Sequence, residues 1–161
     1  GKSACYLGLA CKENNTKLFS IDHHMGSEEQ QFGEEYFDRE IYDFENNRVD
    51  TYPLFIENIK KSGLIETVIP IIDNSVSASK KLEDDIDLIF IDGSHTFESA
   101  RSDYSSWKNK IRKGGILAIH DIYDSELEGG QAPKEIYEKA LVENFELVGR
   151  VKSLVALKKL Y

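Results

Sequence analysis

Short apolar runs alternate with longer amphipathic segments along most of this chain. Four runs rich in β-branched residues predict strands at 18–21, 68–72, 88–91 and 116–119. Apolar residues at helical spacing predict helices at 3–11, 50–63, 77–82, 97–111 and 132–142. Strands that alternate with helices are typical of a mostly parallel sheet with helices on both faces. We therefore predict an α/β fold.

The C-terminal part of the chain departs from this alternation. Two apolar runs, 145–148 and 153–157, are separated only by a short turn around 149–152. Two neighbouring strands joined in this way predict an antiparallel hairpin that closes the sheet. The chain has 161 residues and no low-complexity linker, so we expect a single domain over 1–161.

The run at 88–91 is continuously apolar and is followed directly by Asp92 and Gly93. Such a run predicts a strand with both faces buried. Ligands of open α/β sheets bind outside the carboxyl ends of the strands, so Asp92 and the nearby His95 are candidate catalytic residues. The alternative is that Asp92 and Ser94 only cap the next helix.

Three more acids, Asp22, Asp73 and Asp121, hold the same position at the ends of predicted strands. In a parallel sheet these four ends line one edge. Like charges that are crowded together destabilise a fold unless a cation or a hydroxyl-rich ligand offsets them. The four acids therefore predict a ligand site at this edge of the sheet.

Two of these positions suit a nucleoside. An acid at the position of Asp22 can accept hydrogen bonds from both hydroxyls of a ribose, as in nicotinamide, flavin and S-adenosylmethionine sites. Asp73, Asn74 and Ser75 offer acceptors and donors to the edge of an adenine. For these three residues an Asx-type turn is the alternative.

Asp92, His120 and Asp121 form a candidate metal site. Carboxylates with open positions for water suit magnesium, and an added imidazole also suits manganese or iron. The alternative is that His120 is a packed histidine at a strand end and that Asp121 caps the next segment of the chain.

The segment 25–48 interrupts the strand and helix pattern and is rich in acids and aromatic residues. We expect a partly helical insertion there, with uneven helical spacing. It is either a solvated helix with one packed aromatic face or a lid over a substrate.

Charge and composition narrow the classes of partner. The formal net charge of −9 disfavours nucleic acid as a partner. No apolar run approaches the length of a membrane span, so we expect no membrane association. Cys5 and Cys11 suit neither a disulfide framework nor a zinc site, which favours the reducing cytoplasm.

Four stretches of the chain, 20–29, 50–63, 91–98 and 114–121, resemble class I S-adenosylmethionine-dependent methyltransferases. The most specific are Ile-Asp-Gly-Ser-His at 91–95 and Gly-Gly-x-x-x-x-His-Asp at 114–121. Within that class the chain is most similar to the methyltransferase domain 24 group, and its wider relatives are metal-dependent O-methyltransferases. The resemblance implies a Rossmann-like sheet, and the closing hairpin fits it.

The resemblance implies roles for several residues. Gly1, Lys2 and Ser3 resemble the tail of the family's first glycine-rich motif, so we expect the first strand and the rest of that motif upstream of this segment. Donor binding is then implied for a set of residues near the strand ends: Gly1, Ser3, Asp22, His23, Asp73, Asn74, Ser75 and Asp92. The metal ligands implied are Asp92, His120 and Asp121.

The expected reaction is methyl transfer from S-adenosylmethionine to a small-molecule acceptor, at a hydroxyl group. Asp92 or His95 would act as the general base, or a magnesium or manganese ion would lower the pKa of the hydroxyl. The alternatives are a nicotinamide-dependent oxidoreductase and a non-catalytic donor-binding domain. Both a monomer and a homo-oligomer are compatible with the sequence.

Overall fold

A computed structural model describes residues 1–26, 30–34 and 37–161 of the chain. The chain divides into two compact units, residues 1–74 and 75–161. Each unit has its own apolar core and its own pairing of strands. In the described part of the chain, no helix is long and apolar enough to span a bilayer.

The described elements of the first unit are α1 (Lys2–Glu13), β1 (Leu18–Asp22), β2 (Tyr42–Asp43), β3 (Arg48–Val49), α2 (Tyr52–Lys61) and β4 (Val68–Ile72). β1 and β4 pair in parallel, from Leu18 opposite Val68 to Asp22 opposite Ile72. This register brings the carboxyl ends of both strands, and therefore Asp22 and Asp73, to the same end of the pair.

The two helices of the first unit bury apolar faces around a small core. Its buried members are Ala4, Phe55, Ile59, Leu64 and Val68. Phe55 and Ile59 share one face of α2 because they lie one helical turn apart. A side chain at Gly8 would lie 2.7 Å from Cγ2 of Val68, so only glycine allows α1 to approach β4 this closely. Gly63 has a φ of +65° and follows the end of α2, in a conformation that favours glycine.

The insertion at 25–48 is predicted from the sequence to be partly helical. Its described part contains a 3₁₀ turn at Arg39–Ile41 and an antiparallel hairpin of β2 and β3. The carboxylate of Asp43 accepts hydrogen bonds from the backbone N–H groups of Glu45 and Asn46. Local turns of this kind compete with helix formation, and the uneven helical spacing did not outweigh them. Residues 27–29 and 35–36 of the insertion lie outside the described residues.

The second unit contains α3 (Ser75–Ser79), β5 (Ile86–Ile91), α4 (Phe97–Trp107), β6 (Ile111–Ile119), α5 (Ala132–Glu143), β7 (Phe145–Val151) and β8 (Leu154–Lys159). Its four-stranded sheet has the order β5-β6-β8-β7. β5 and β6 are parallel, whereas β8 pairs antiparallel with both β6 and β7. The parallel strand pairs and the closing hairpin confirm the predicted Rossmann-like α/β fold.

A bulge interrupts the start of β6. Ile86 pairs with Ile111 but Leu88 pairs with Ile116, so residues 112–115 bulge out of the ladder. A side chain at Gly115 would lie 2.7 Å from Cγ2 of Ile111, so the bulge requires glycine there. Consequently the helix predicted at 97–111 ends at Trp107, and Ile111 already belongs to β6.

The core of the second unit lies between its sheet and helices α4 and α5. Its largest buried side chains are Tyr104, Ile111, Leu117, Ile119, Ile122, Ile136 and Leu157. From β5, Ile89 and Ile91 pack against this core, whereas Leu88 on the opposite face is 45% exposed. The prediction that β5 is buried on both faces is therefore wrong at Leu88, because the core of the second unit packs against the opposite face of β5, that of Ile89 and Ile91.

Candidate functional site

The parallel strands β5 and β6 bring three of the predicted site residues together. Asp92 follows β5, while His120 and Asp121 follow β6. Ile91 lies opposite Ile119, and the backbone N–H of His120 donates to the carbonyl oxygen of Ile91 at 3.1 Å. The residues that follow the two strands therefore emerge side by side.

The side chains of these three residues converge. Nδ1 of His120 lies 3.2 Å from Oδ1 of Asp92 and 3.0 Å from Oδ1 of Asp121. One ligand atom from each residue lies within 4.8 Å of the other two. Nδ1 of His120 is buried, and among the described residues it has no partner aligned for a hydrogen bond. These short contacts are therefore electrostatic rather than well-formed hydrogen bonds.

Asp121 also contacts two further side chains. Its Oδ2 lies 3.0 Å from Nε2 of His95, and its Oδ1 accepts a hydrogen bond from the hydroxyl of Tyr123 at 3.1 Å. Burial acts to raise the pKa of Asp121, but the hydrogen bond from Tyr123 and the contacts with His120 and His95 outweigh it. The pKa of Asp121 is therefore lowered, and the carboxylate stays ionised at neutral pH.

The loop between β6 and α5 packs closely against this cluster. A side chain at Gly129 would lie 2.3 Å from the ring of Tyr123, and one at Gly130 would lie 3.3 Å from Cβ of His95. A small cavity of about 10 Å³ lies between the cluster and the start of α5. That volume suits one water or one ion rather than a whole substrate.

The donor set at Asp92, His120 and Asp121 fits a divalent cation. Two carboxylate oxygens and one imidazole nitrogen suit manganese or iron, and the carboxylates also suit magnesium. The buried Nδ1 of His120 supports this fit, because an ion among the three side chains would give that nitrogen a partner.

The predicted donor-binding residues of the first unit lie at the ends of α1 and β1. Gly1 and Ser3 are exposed at the start of α1, and the backbone of Gly1 lies against the ring of Phe55. Oδ1 of Asp22 accepts a hydrogen bond from the backbone N–H of His24 at 2.8 Å. The Nδ1 of exposed His23 accepts a hydrogen bond from the backbone N–H of Met25.

Asp73, Asn74 and Ser75 follow β4. Oδ1 of Asp73 accepts a hydrogen bond from the backbone N–H of Asn74, the next residue, at 2.8 Å. Ser75 begins α3 in the second unit, where its Oγ accepts a hydrogen bond from Nε1 of Trp107 at 2.8 Å. The hydroxyl of Ser75 thus takes part in the packing of the second unit.

Two residues that contact the predicted site were not singled out from the sequence. Tyr123 lies two residues after Asp121, and the pattern His-Asp-x-Tyr was the signal available for it. His24 contacts Asp22 and is buried. Burial of a single histidine within a polar loop leaves no periodic signal.

One protein family matches most of the chain. Its model, described as a methyltransferase domain, matches residues 1–122. The match includes all four stretches that carry the predicted resemblance. A curated relative, an uncharacterized protein of Acanthamoeba polyphaga mimivirus, is 29% identical over 69 residues. That stretch is 43% of this chain and spans only 28% of the length of the relative.

Solved structures share the fold at low sequence identity. The O-methyltransferase NovP is 16% identical with a TM-score of 0.64, and the alignment covers 98% of this chain and 67% of NovP. A Podospora anserina methyltransferase bound to S-adenosylhomocysteine (SAH) is 14% identical with a TM-score of 0.59. That alignment covers 97% of this chain and 76% of the other. At such identities the likeness establishes the fold alone.

Proposed function

We propose, because this chain belongs to the methyltransferase domain family, that it transfers the methyl group of S-adenosylmethionine to a hydroxyl group of a small-molecule acceptor. The observation that carries the proposal is the cluster of Asp92, His95, His120 and Asp121 at the ends of two parallel strands. Ligands of open α/β sheets bind outside the carboxyl ends of the strands, which is where this cluster lies.

The proposed methyl donor is S-adenosylmethionine, since the similar Podospora anserina enzyme binds the demethylated product SAH. Asp22 would accept hydrogen bonds from the ribose hydroxyls, and Asp92 would lie near the methionine part. The other proposed donor-binding residues are Gly1, Ser3, His23, Asp73, Asn74 and Ser75.

The proposed reaction is an in-line displacement. A lone pair of the acceptor oxygen forms a bond to the methyl carbon as the carbon–sulfur bond breaks. The electron pair of the broken carbon–sulfur bond stays on the sulfur of SAH. The enzyme aligns the two reactants and removes the hydroxyl proton. We propose that His95 is the base that accepts this hydroxyl proton. Ionised Asp121 can only accept hydrogen bonds, so it holds His95 with the proton on Nε2 and leaves Nδ1 to act as the base. Asp92 is the second candidate base.

A divalent cation fits this proposal. Asp92, His120 and Asp121 would hold a magnesium or manganese ion. When bound, such an ion lowers the pKa of a coordinated hydroxyl and orients it. Asp92, His120 and Asp121 would then serve as ligands, and His95 would remain the group that receives the proton.

We also propose a role for the insertion at 25–48. Its described aromatic cluster consists of Phe32, Phe37, Tyr42 and Phe44, with neighbouring ring centroids 4.9 to 5.6 Å apart. Phe32 is 66% exposed and Phe44 is 57% exposed, whereas aromatic rings that only fill a core are buried. These exposed rings support the proposal that the insertion is a lid over an acceptor.

We further propose that residues 1–161 form one methyltransferase domain. The free thiols of Cys5 and Cys11 support a cytoplasmic location.

Calorimetric titration tests the proposal. SAH is titrated into the protein with and without magnesium or manganese, and NAD⁺ is titrated in parallel. Binding of SAH in the micromolar range, without binding of NAD⁺, is expected. Asp22→Ala should abolish binding of SAH, whereas Asp124→Ala, at an exposed ion pair with Arg150, should not. Binding of NAD⁺ in place of SAH would instead indicate an oxidoreductase. Binding of SAH without methyl transfer to any acceptor would indicate a non-catalytic donor-binding domain.

A further inference from the structure

His24 follows β1 by two residues and has a direct contact with the proposed ribose-binding acid. Its backbone N–H donates to Oδ1 of Asp22 at 2.8 Å. This bond fixes one oxygen of the carboxylate and therefore the rotation of the whole group. The orientation of Asp22 thus depends on where the backbone of His24 is held.

Two hydrogen bonds connect His24 to Thr51, the residue that precedes α2. The carbonyl oxygen of His24 accepts from the backbone N–H of Thr51 at 3.0 Å, and its Nδ1 lies 2.8 Å from Oγ1 of Thr51. The ring also packs against Tyr52 and Phe55, with centroids 5.2 and 5.1 Å away. His24 is therefore held by both its backbone and its side chain.

The backbone of His24 has a φ of +60°, in the left-handed region. Most residues with a side chain disfavour this region, and histidine and asparagine tolerate it better than most. The contacts with Thr51 therefore stabilise a backbone shape that the chain would not adopt readily by itself.

Packing alone does not account for a histidine at this position. His24 is only 5% exposed, and among the described residues its Nε2 has no hydrogen-bond partner. An unpaired buried nitrogen destabilises a fold, so an apolar ring would fill the same space at a lower cost. Burial lowers the pKa of His24, although Asp22 and Asp50 act against the shift. The neutral ring leaves the negative charge of Asp22 available to a ligand.

We infer that His24 and Thr51 are positioning residues that set the carboxylate of Asp22 for the ribose hydroxyls of the methyl donor. The inference rests on the proposed function and says which residues hold the acid of its donor site in position. His24 and Thr51 act through Asp22, and neither needs to touch the donor.

The test compares two ligands in calorimetric titrations, SAH and its analogue that lacks both ribose hydroxyls. Thr51→Val and His24→Ala should each weaken SAH by about 10-fold or more, since a displaced Asp22 carboxylate loses its hydrogen bonds with the ribose hydroxyls. The same variants should weaken the analogue by less than about 3-fold, because that ligand makes no use of Asp22. A merely structural role would weaken both ligands equally.

Two further variants serve as controls. In His24→Asn the amide can replace Nδ1 and the backbone tolerates the left-handed region, so binding of SAH should return to within about 3-fold of the wild type. Thr67→Val makes the same substitution at a buried site of the first unit and should change neither affinity. Circular dichroism and thermal unfolding establish that each variant is folded.

Equal weakening of both ligands by Thr51→Val would overturn the inference, as would an unchanged affinity for SAH. A wild-type protein that binds neither ligand would contradict the proposed function itself, and the inference would fail with it.

Discussion

Asp121 is the residue on which the candidate active site depends most. It contacts His95 through one carboxylate oxygen, and it contacts His120 and Tyr123 through the other. Its backbone has a φ of +59°, which is uncommon for a residue other than glycine and recurs at functional sites. A single carboxylate therefore orients the proposed base and completes the proposed metal site.

Asp121→Asn should reduce kcat by roughly 100- to 1,000-fold, because the amide does not hold His95 in the tautomer with its proton on Nε2. The KM for S-adenosylmethionine should change by less than about 3-fold, since Asp121 has no proposed donor contact. Steady-state kinetics measure both. Tyr123→Phe removes one hydrogen bond from the same carboxylate and should have a much smaller effect. A normal kcat in Asp121→Asn would contradict the assignment.

His120→Ala should weaken the binding of Mn²⁺ by about 10-fold or more, since it removes the only nitrogen from the proposed donor set. Electron paramagnetic resonance of free Mn²⁺ measures this without any need for turnover. Asp124→Ala, at an acid outside the cluster, is the matched control and should bind Mn²⁺ as the wild type does. Equal binding by His120→Ala and the wild type would remove His120 from the metal site.

At the scale of the element, the loop between β6 and α5 holds the site in place. Gly129 lies directly against the ring of Tyr123, where no side chain fits. Gly129→Ala should therefore displace Tyr123 and reduce kcat by about 10- to 100-fold. Gly149→Ala in β7 is the control, because a side chain there meets nothing within 4 Å. Similar kinetics for the two variants would show that close packing of this loop is not required.

Helices α4 and α5 are joined by a partly buried polar contact. The hydroxyl of Tyr104 donates to Oε2 of Glu143 at 2.7 Å, and Nζ of Lys108 lies 2.6 Å from the same oxygen. Tyr104→Phe removes this hydrogen bond and should lower the free energy of unfolding by about 1 kcal/mol at neutral pH. Denaturant titration of the variant and the wild type measures the difference. An unchanged free energy of unfolding would contradict a stabilising role for the hydroxyl.

The same contact predicts a dependence on pH. Burial, and then Glu143, raise the pKa of Tyr104 well above its ordinary value of 10.0. The folded state therefore holds the proton more tightly than the unfolded state, and stability falls as pH rises above about 10. The stability difference between wild type and Tyr104→Phe should shrink over that range. A constant difference up to about pH 11 would contradict the raised pKa.

At the scale of the whole molecule, most elements could be predicted from the sequence. Apolar runs of the right length located β1, β4 and β5, and the two closing runs located the β7–β8 hairpin. The family resemblance, confirmed by the match over residues 1–122, rests largely on motifs at the ends of β1, β5 and β6. Periodicity and strand-end position are local properties, so the sequence carries them directly.

The remaining features depend on contacts between distant parts of the chain. The bulge at 112–115 depends on the fit of Gly115 against Ile111 and Asp87. The cluster at Asp121 was predicted for its metal ligands, but its contact with Tyr123 required the folded loop. His24 is buried by Tyr52 and Phe55, which lie about thirty residues further along the chain. No local pattern reports such packing.

The most direct test of the central claim is methyl transfer itself. Labelled S-adenosylmethionine is incubated with the protein, Mg²⁺ or Mn²⁺ and a panel of hydroxyl-bearing small molecules, and label in the acceptor is measured for the wild type and Asp92→Asn. The account predicts transfer to a hydroxyl acceptor by the wild type. It also predicts a loss of about 100-fold or more in Asp92→Asn, which should still fold. Equal transfer by both proteins, or no transfer to any hydroxyl acceptor of the panel, would contradict it.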